Sequence, residues 1–113
     1  MSNGIDHIVA QLRHFRDERD WAQFHNAKDL ALAVSIEAAE LNEQFLWKTA
    51  DEANPVRVQE ELADVLLYAL QLADLYGWDV IQLMQQKLAA NAAKYPVDKA
   101  KGTATKYTDL YAP

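Results

Sequence analysis

A chain of 113 residues is long enough to bury a hydrophobic core without covalent staples, and it reads as one domain, residues 1–113. Half of the residues are hydrophobic and a quarter charged, with three Gly and three Pro, which argues against disorder and against a turn-rich all-β fold. The formal charge of −6 hides a pattern: residues 1–28 are neutral, residues 29–79 carry −9 and residues 80–113 carry +3, and an acidic block of this kind repels nucleic acid and anionic membrane surfaces.

Four amphipathic segments follow in chain order. Ile5, Ile8, Val9, Leu12 and Phe15 recur at helical spacing and predict a first helix over about Ile5 to Arg19. Asp20 to His25 breaks that pattern, and Asn26 suits an N-cap with Asp29 in the first turn of a second helix, about Ala27 to Trp47, whose stripe is Leu30, Val34, Leu41 and Phe45. A polar connection, Lys48 to Asn54, leads to Pro55, which suits the first position of a third helix, Val56 to Tyr76. That helix is expected to bury Val58, Leu62, Val65, Leu66, Ala69 and Leu72, with Gly77 as its C-terminal cap. Asp79 caps a fourth helix, Val80 to Lys94, which stops at Tyr95-Pro96 because a residue before proline avoids helical torsions. A lysine-bearing tail, about residues 96–113, is expected to be extended. The predicted architecture is all-α, an antiparallel four-helix bundle joined by short loops.

Cysteine is absent, which excludes disulfides, thiol catalysis and thiolate metal sites and fits a reducing compartment. Met1 to Gly4 opens without a basic region and apolar stretch, and the longest purely apolar run is Val65 to Leu70. The expectation is a cytoplasmic protein with no membrane span and no nucleic-acid partner.

Two acid pairs stand out: Glu37 and Glu40 on the second helix, Glu61 and Asp64 on the third. Residues three apart share a helix face, so each pair offers two carboxylates to one point, and antiparallel neighbours can bring the pairs together. The same interval occurs at Asp17/Asp20 and Glu40/Glu43, so spacing alone also describes a solvated face on a non-catalytic helical interaction module. Context separates the readings. Both favoured pairs sit inside apolar stretches, Ala31 to Leu41 and Leu62 to Leu72, where an inward carboxylate costs several kcal/mol unless it is paired or metal-bound. Few Lys or Arg lie nearby, so a hard divalent cation is the economical partner, and an all-oxygen ligand set suits Mg²⁺ or Mn²⁺ better than zinc. A di-iron carboxylate bundle would need Glu-x-x-His motifs, and His7, His14 and His25 all lie outside these two helices.

Glu-x-x-Glu, a spacer over residues 41–60 and Glu-x-x-Asp together resemble the motif of the all-α nucleoside triphosphate pyrophosphohydrolases, the MazG-like and dimeric dUTPase superfamily. The dCTP pyrophosphatase subgroup is resembled further in Glu18 to His25, in Phe45-Leu46-Trp47-Lys48, in Glu60 to Leu66, in Lys94-Tyr95-Pro96 and in Lys106 to Leu110. The resemblance implies that Glu37, Glu40, Glu61 and Asp64 bind Mg²⁺ ions that grip a triphosphate. It also implies that a metal-activated water cleaves the α–β linkage, releasing nucleoside monophosphate and pyrophosphate. Four clustered carboxylates raise one another's pKa without metal, and a bound cation reverses this. Glu60 points about 100° away from Glu61 on a helix and reads as a surface residue.

By the same resemblance Trp21 and Trp47 enclose the base, Lys87, Asn91 and Tyr95 contact the nucleotide along one face of the fourth helix, and Lys106 and Tyr107 close over the phosphates. Ordinary core packing is the competing reading for the two tryptophans, a solvated stripe for the fourth-helix set and a mobile surface tail for Lys106 and Tyr107. Some members place a histidine on the first helix near the base, where Leu12 stands here. The implied substrate is a deoxynucleoside triphosphate, dCTP or a modified dCTP, with dUTP or a purine triphosphate as alternatives. The family assembles as dimers or tetramers, so a homo-oligomer is implied.

Overall fold

The computed structural model describes residues 4–111. Among the described residues there are six α-helices and no strand: α1 (Gly4–Glu18), α2 (Ala27–Glu43), α3 (Pro55–Leu75), α4 (Val80–Lys94), α5 (Val97–Ala100) and α6 (Tyr107–Leu110). Single 3-10 turns at Ala22–Phe24 and Ala50–Glu52 punctuate the connections. The chain divides into two compact units, Met1–Trp78 and Asp79–Pro113. No helix among the described residues is long and apolar enough to cross a membrane.

The helix starts follow local chemistry. Asn26 Oδ1 accepts from the Asp29 amide at 2.9 Å while its Nδ2 donates to the Asp29 carboxylate at 2.8 Å, so the cap is closed from both sides. Asn54 Oδ1 takes the Val56 amide at 3.0 Å and Pro55 supplies a first residue with no amide hydrogen to satisfy. Asp79 Oδ1 accepts from the Gln82 amide at 3.0 Å and starts α4. Gly77, at φ 71°, takes the left-handed turn that ends α3, a conformation that costs glycine nothing.

In the first unit α2 and α3 form an antiparallel hairpin. Leu30, early on α2, shares a cavity wall with Leu70 and Asp74, late on α3. At the other end Phe45, just beyond α2, lies beside Val58 and Leu62, early on α3. The second half of α1 is tied to α3 by a forked ion pair: Arg13 Nε donates to both Asp74 carboxylate oxygens, at 3.1 and 2.9 Å, and Nη2 donates to Oδ1 as well. This guanidinium holds the Asp74 carboxyl below its ordinary pKa.

Three expectations are corrected. The second helix ends at Glu43 rather than near Trp47, because residues 44–46 pair three residues back, Phe45 to Asn42 and Leu46 to Glu43, and Trp47 then enters the left-handed region at φ 59°. The tail is not uniformly extended. A turn of helix follows Pro96, and α6 brings Tyr107 edge-to-face against Tyr95 at 6.1 Å with the Lys94 ammonium 4.7 Å above its ring. The apolar stripe of α3 is not buried throughout: Leu62, Leu66 and Ala69 are exposed, Val58, Val65 and Leu72 are half-buried, and among the described residues only Leu30, Ala53 and Ala73 are buried.

Candidate active site

The hairpin decides where the acids meet. Glu37 sits midway along α2 and Glu61 and Asp64 in the first half of α3, so antiparallel packing sets them opposite one another. One carboxylate oxygen from each of Glu37, Glu61 and Asp64 lies within 4.8 Å of the others. Glu40, the fourth acid of the sequence pattern, stands beside this trio and acts on both Glu37 and Glu61 through hydrogen bonding and charge.

Electrostatics show how uncomfortable the cluster is on its own. The Glu37 carboxyl is pushed up to about 7, first by burial, then by Glu40, with smaller contributions from Asp64 and Glu61. Glu61 is raised for the same reasons, burial first and then the charges of Glu40 and Asp64. Oε2 of Glu37 and Oε2 of Glu61 are both shielded from solvent and have no hydrogen-bond partner. Buried acceptors are nearly always satisfied, because an orphan forfeits its hydration without return. Two carboxylates with such oxygens, converging with that of Asp64, suit a cation, and oxygen-only ligation suits a hard divalent one. The residues present therefore suit a metal ion. Glu60 is exposed, as its helical angle requires.

A cavity of about 220 Å³ opens beside the cluster and is shared between α1, the 3-10 turn region and α3. Asp64 belongs to its wall, which makes the cavity and the acids one site. Phe15, Trp21, Leu67 and Tyr68 supply apolar and aromatic surface; Phe15 and Trp21 meet edge-to-face at 5.7 Å, and the Arg19 guanidinium lies 3.7 Å over the Phe15 ring. Arg16, His25 and Gln71 add polar groups. His25 Nδ1 is buried without a partner.

Of the tryptophans expected at the base, Trp21 lines this cavity and Trp47 does not: Trp47 is 93% exposed, in a turn beyond α2. Lys87, Asn91 and Tyr95 lie in the second unit, on α4 and at its C-terminal cap, with Lys87 exposed and Asn91 half-buried. There α6 brings Tyr107 to Tyr95, so Lys94, Lys106 and Tyr107 gather near the end of the α4 row. Sequence reasoning passed over Arg16, Tyr68 and Gln71. A signal was present on α3, since Tyr68 and Gln71 follow Asp64 by four and seven residues and so continue its face.

The sequence profile of the MazG-like family matches residues 32–110, from early α2 to the last turn of α6. This chain belongs to the MazG-like family. It is 42% identical to dCTP pyrophosphatase 1 of Mus musculus and 39% identical to dCTP pyrophosphatase 1 of Homo sapiens, in each case over 85% of this chain. The MazG-like chain spans 61% of the length of those relatives. It also resembles the crystal structure of a pyrophosphatase from Archaeoglobus fulgidus, with a TM-score of 0.78 and 38% sequence identity, over 85% of this chain and 95% of that one.

Proposed function

We propose that residues 1–113 act as one MazG-like domain that hydrolyses a deoxynucleoside triphosphate, dCTP or a modified dCTP, to the monophosphate and pyrophosphate, in the service of the nucleotide pool. The observation that carries this reading is the pair of buried, partnerless carboxylate oxygens of Glu37 and Glu61, set against Asp64 at the edge of an aromatic-walled cavity. The relatives named dCTP pyrophosphatase 1 support the same substrate.

In this reading Glu37, Glu40, Glu61 and Asp64 hold Mg²⁺, with Mn²⁺ as a substitute. A bound divalent ion neutralises charge on the triphosphate and makes hydroxide accessible near neutral pH. The chain's own contribution is positioning. Antiparallel α2 and α3 fix the carboxylates before substrate arrives, so little reorganisation is left for the reaction itself. Trp21 offers an indole face on which a base stacks, with Phe15 holding the ring edge-on. Trp47 combines high exposure with a left-handed backbone torsion that costs a bulky residue about 1–2 kcal/mol. An exposed, strained indole of this kind suits a lid over the base better than a structural role. Lys87, Asn91 and Tyr95 contact the nucleotide, Lys87 at phosphate, and Lys106 and Tyr107 close over the phosphates.

A homo-oligomer, dimer or tetramer, completes this reading. Leu32 and Ile36 on α2 and Leu62 and Leu66 on α3 are exposed in i, i+4 pairs, apolar surface of the kind that a second subunit covers. The test is to incubate purified protein with Mg²⁺ and a panel of ribo- and deoxynucleoside triphosphates. Monophosphate and pyrophosphate are expected, fastest from dCTP; no turnover of any member would overturn the proposal.

A further inference from the structure

The cavity beside the acid cluster has an order along α3. Asp64, Tyr68 and Gln71 all line it, and their spacing of four and three residues puts them on one helix face. At 1.5 Å per residue Gln71 stands about 10 Å along the axis from Asp64, with Tyr68 between them. A ligand whose phosphate is held near Asp64 through a divalent cation, and which extends past Tyr68, would therefore present its far end to Gln71. Arg16 lines the same cavity from α1. Its Nε donates to Asp17 at 2.8 Å, which orients the guanidinium and leaves the two Nη groups as donors, and its side chain is only 29% exposed.

The volume also limits what enters. About 220 Å³ falls short of the roughly 300 Å³ at which pockets begin to hold a whole small ligand, so this cavity takes a part of one. A nucleobase, flat and apolar on its faces with polar edges, suits aromatic walls that carry His25 and, on long flexible stems, the two polar side chains Arg16 and Gln71.

The chemistry of those two side chains selects among bases. A glutamine amide alone cannot tell cytosine from uracil or thymine, because turning it over exchanges donor and acceptor. An arginine offers donors only. Cytosine presents two adjacent acceptors, N3 and O2, and one amino donor, N4, so a guanidinium can take the acceptors and a glutamine carbonyl the amino group. Uracil and thymine carry a hydrogen on N3, which would face the guanidinium donor to donor. We propose that Arg16 and Gln71 are specificity-determining residues that read the hydrogen-bonding edge of a cytosine base in this cavity. The assignment rests on the nucleotide-hydrolase reading above and deepens it.

The experiment measures kcat and KM with Mg²⁺ for dCTP, dTTP, dUTP and dGTP, in wild type, Gln71→Met and Arg16→Met. Methionine keeps an unbranched side chain of similar reach and removes the hydrogen-bonding groups, and circular dichroism checks the fold of each variant. Wild type is expected to favour dCTP. Each variant is expected to lose at least about tenfold in kcat/KM on dCTP, mainly through KM, with turnover of dTTP and dUTP nearly unchanged, because the polar edge of the cytosine is left unpaired. If one variant fails to fold, the other carries the test alone. Unchanged dCTP selectivity, an equal loss on every substrate or a wild-type preference for dTTP or dGTP overturns the assignment while leaving the hydrolase reading intact. Absence of turnover by wild type on all four overturns both.

Discussion

Glu37 shows how strongly its surroundings work against a bare carboxylate. Its carboxyl holds a proton up to about 7, against an ordinary 4.5, because it is buried first and surrounded by like charge second. The unfolded chain releases that proton near 4.5, so between the two values the folded state binds more protons and each rise in pH favours unfolding. Metal-free protein is therefore expected to lose stability as pH rises from about 4.5 to 7. Melting temperatures recorded in EDTA across that window check this, and Glu37→Gln should flatten the profile. Asp74 works in the opposite sense: held below 3.8 by Arg13, it stabilises the fold above that value and ceases to as acid protonates it. Arg13→Ala should lower the melting temperature, by less in high salt, since the guanidinium is half exposed. At the cluster itself, Glu61→Gln and Asp64→Asn should each keep the fold and lower kcat/KM by roughly 10²-fold or more, as expected when transition-state charge loses its stabiliser. Retained turnover in both variants would place the metal site elsewhere.

At the level of elements, the starts of α2, α3 and α4 were legible because each is written in one or two residues: Asn26, Asn54-Pro55, Asp79. Asn26→Ala should cost about 1 kcal/mol in chemical denaturation, the usual worth of an N-cap. Leu30, 2% exposed, is the most buried large side chain among the described residues, and Leu30→Ala should cost about 3 kcal/mol. The end of α2 was not legible. Phe45, Leu46 and Trp47 read as a continuation of the apolar stripe, yet the chain tightens into successive three-residue turns and Trp47 turns left-handed. The short tail helices were missed for a related reason. Four-residue turns carry no periodicity, and α6 is held by contacts of Tyr107 with Tyr95 and Lys94 that lie twelve and thirteen residues away. The acid cluster was readable because two i, i+3 pairs on an antiparallel hairpin have few ways to avoid each other. The cavity was half readable: Trp21 and Asp64 were named, whereas Arg16, Tyr68 and Gln71 became visible only when α1 lay against α3.

Across the whole molecule, the charge pattern and the apolar pattern make separate demands. The −9 of residues 29–79 concentrates on the hairpin that carries the cluster, and the +3 of residues 80–113 lies on α4 and the segment after it. In the proposed reading, cations gathered by the acids and the lysines of residues 80–113 would offset a triphosphate, which would let a chain of net −6 bind an anion. Mg²⁺ with a nonhydrolysable dCTP analogue should raise the melting temperature, because a ligand of the folded state alone shifts the equilibrium by mass action. The exposed leucines of α3 make a second demand. Light scattering should give a mass that is a multiple of 12.8 kDa, and Leu66→Asp should reduce it toward a single chain. The central claim is that the carboxylates of α2 and α3 hold a divalent ion for cleavage of a triphosphate between its α and β phosphorus atoms. Phosphorus NMR of dCTP incubated with the protein tests it most directly, in Mg²⁺ and in EDTA side by side. The account predicts dCMP and pyrophosphate in Mg²⁺ and unreacted dCTP in EDTA; dCDP with orthophosphate, or equal turnover in EDTA, would contradict it.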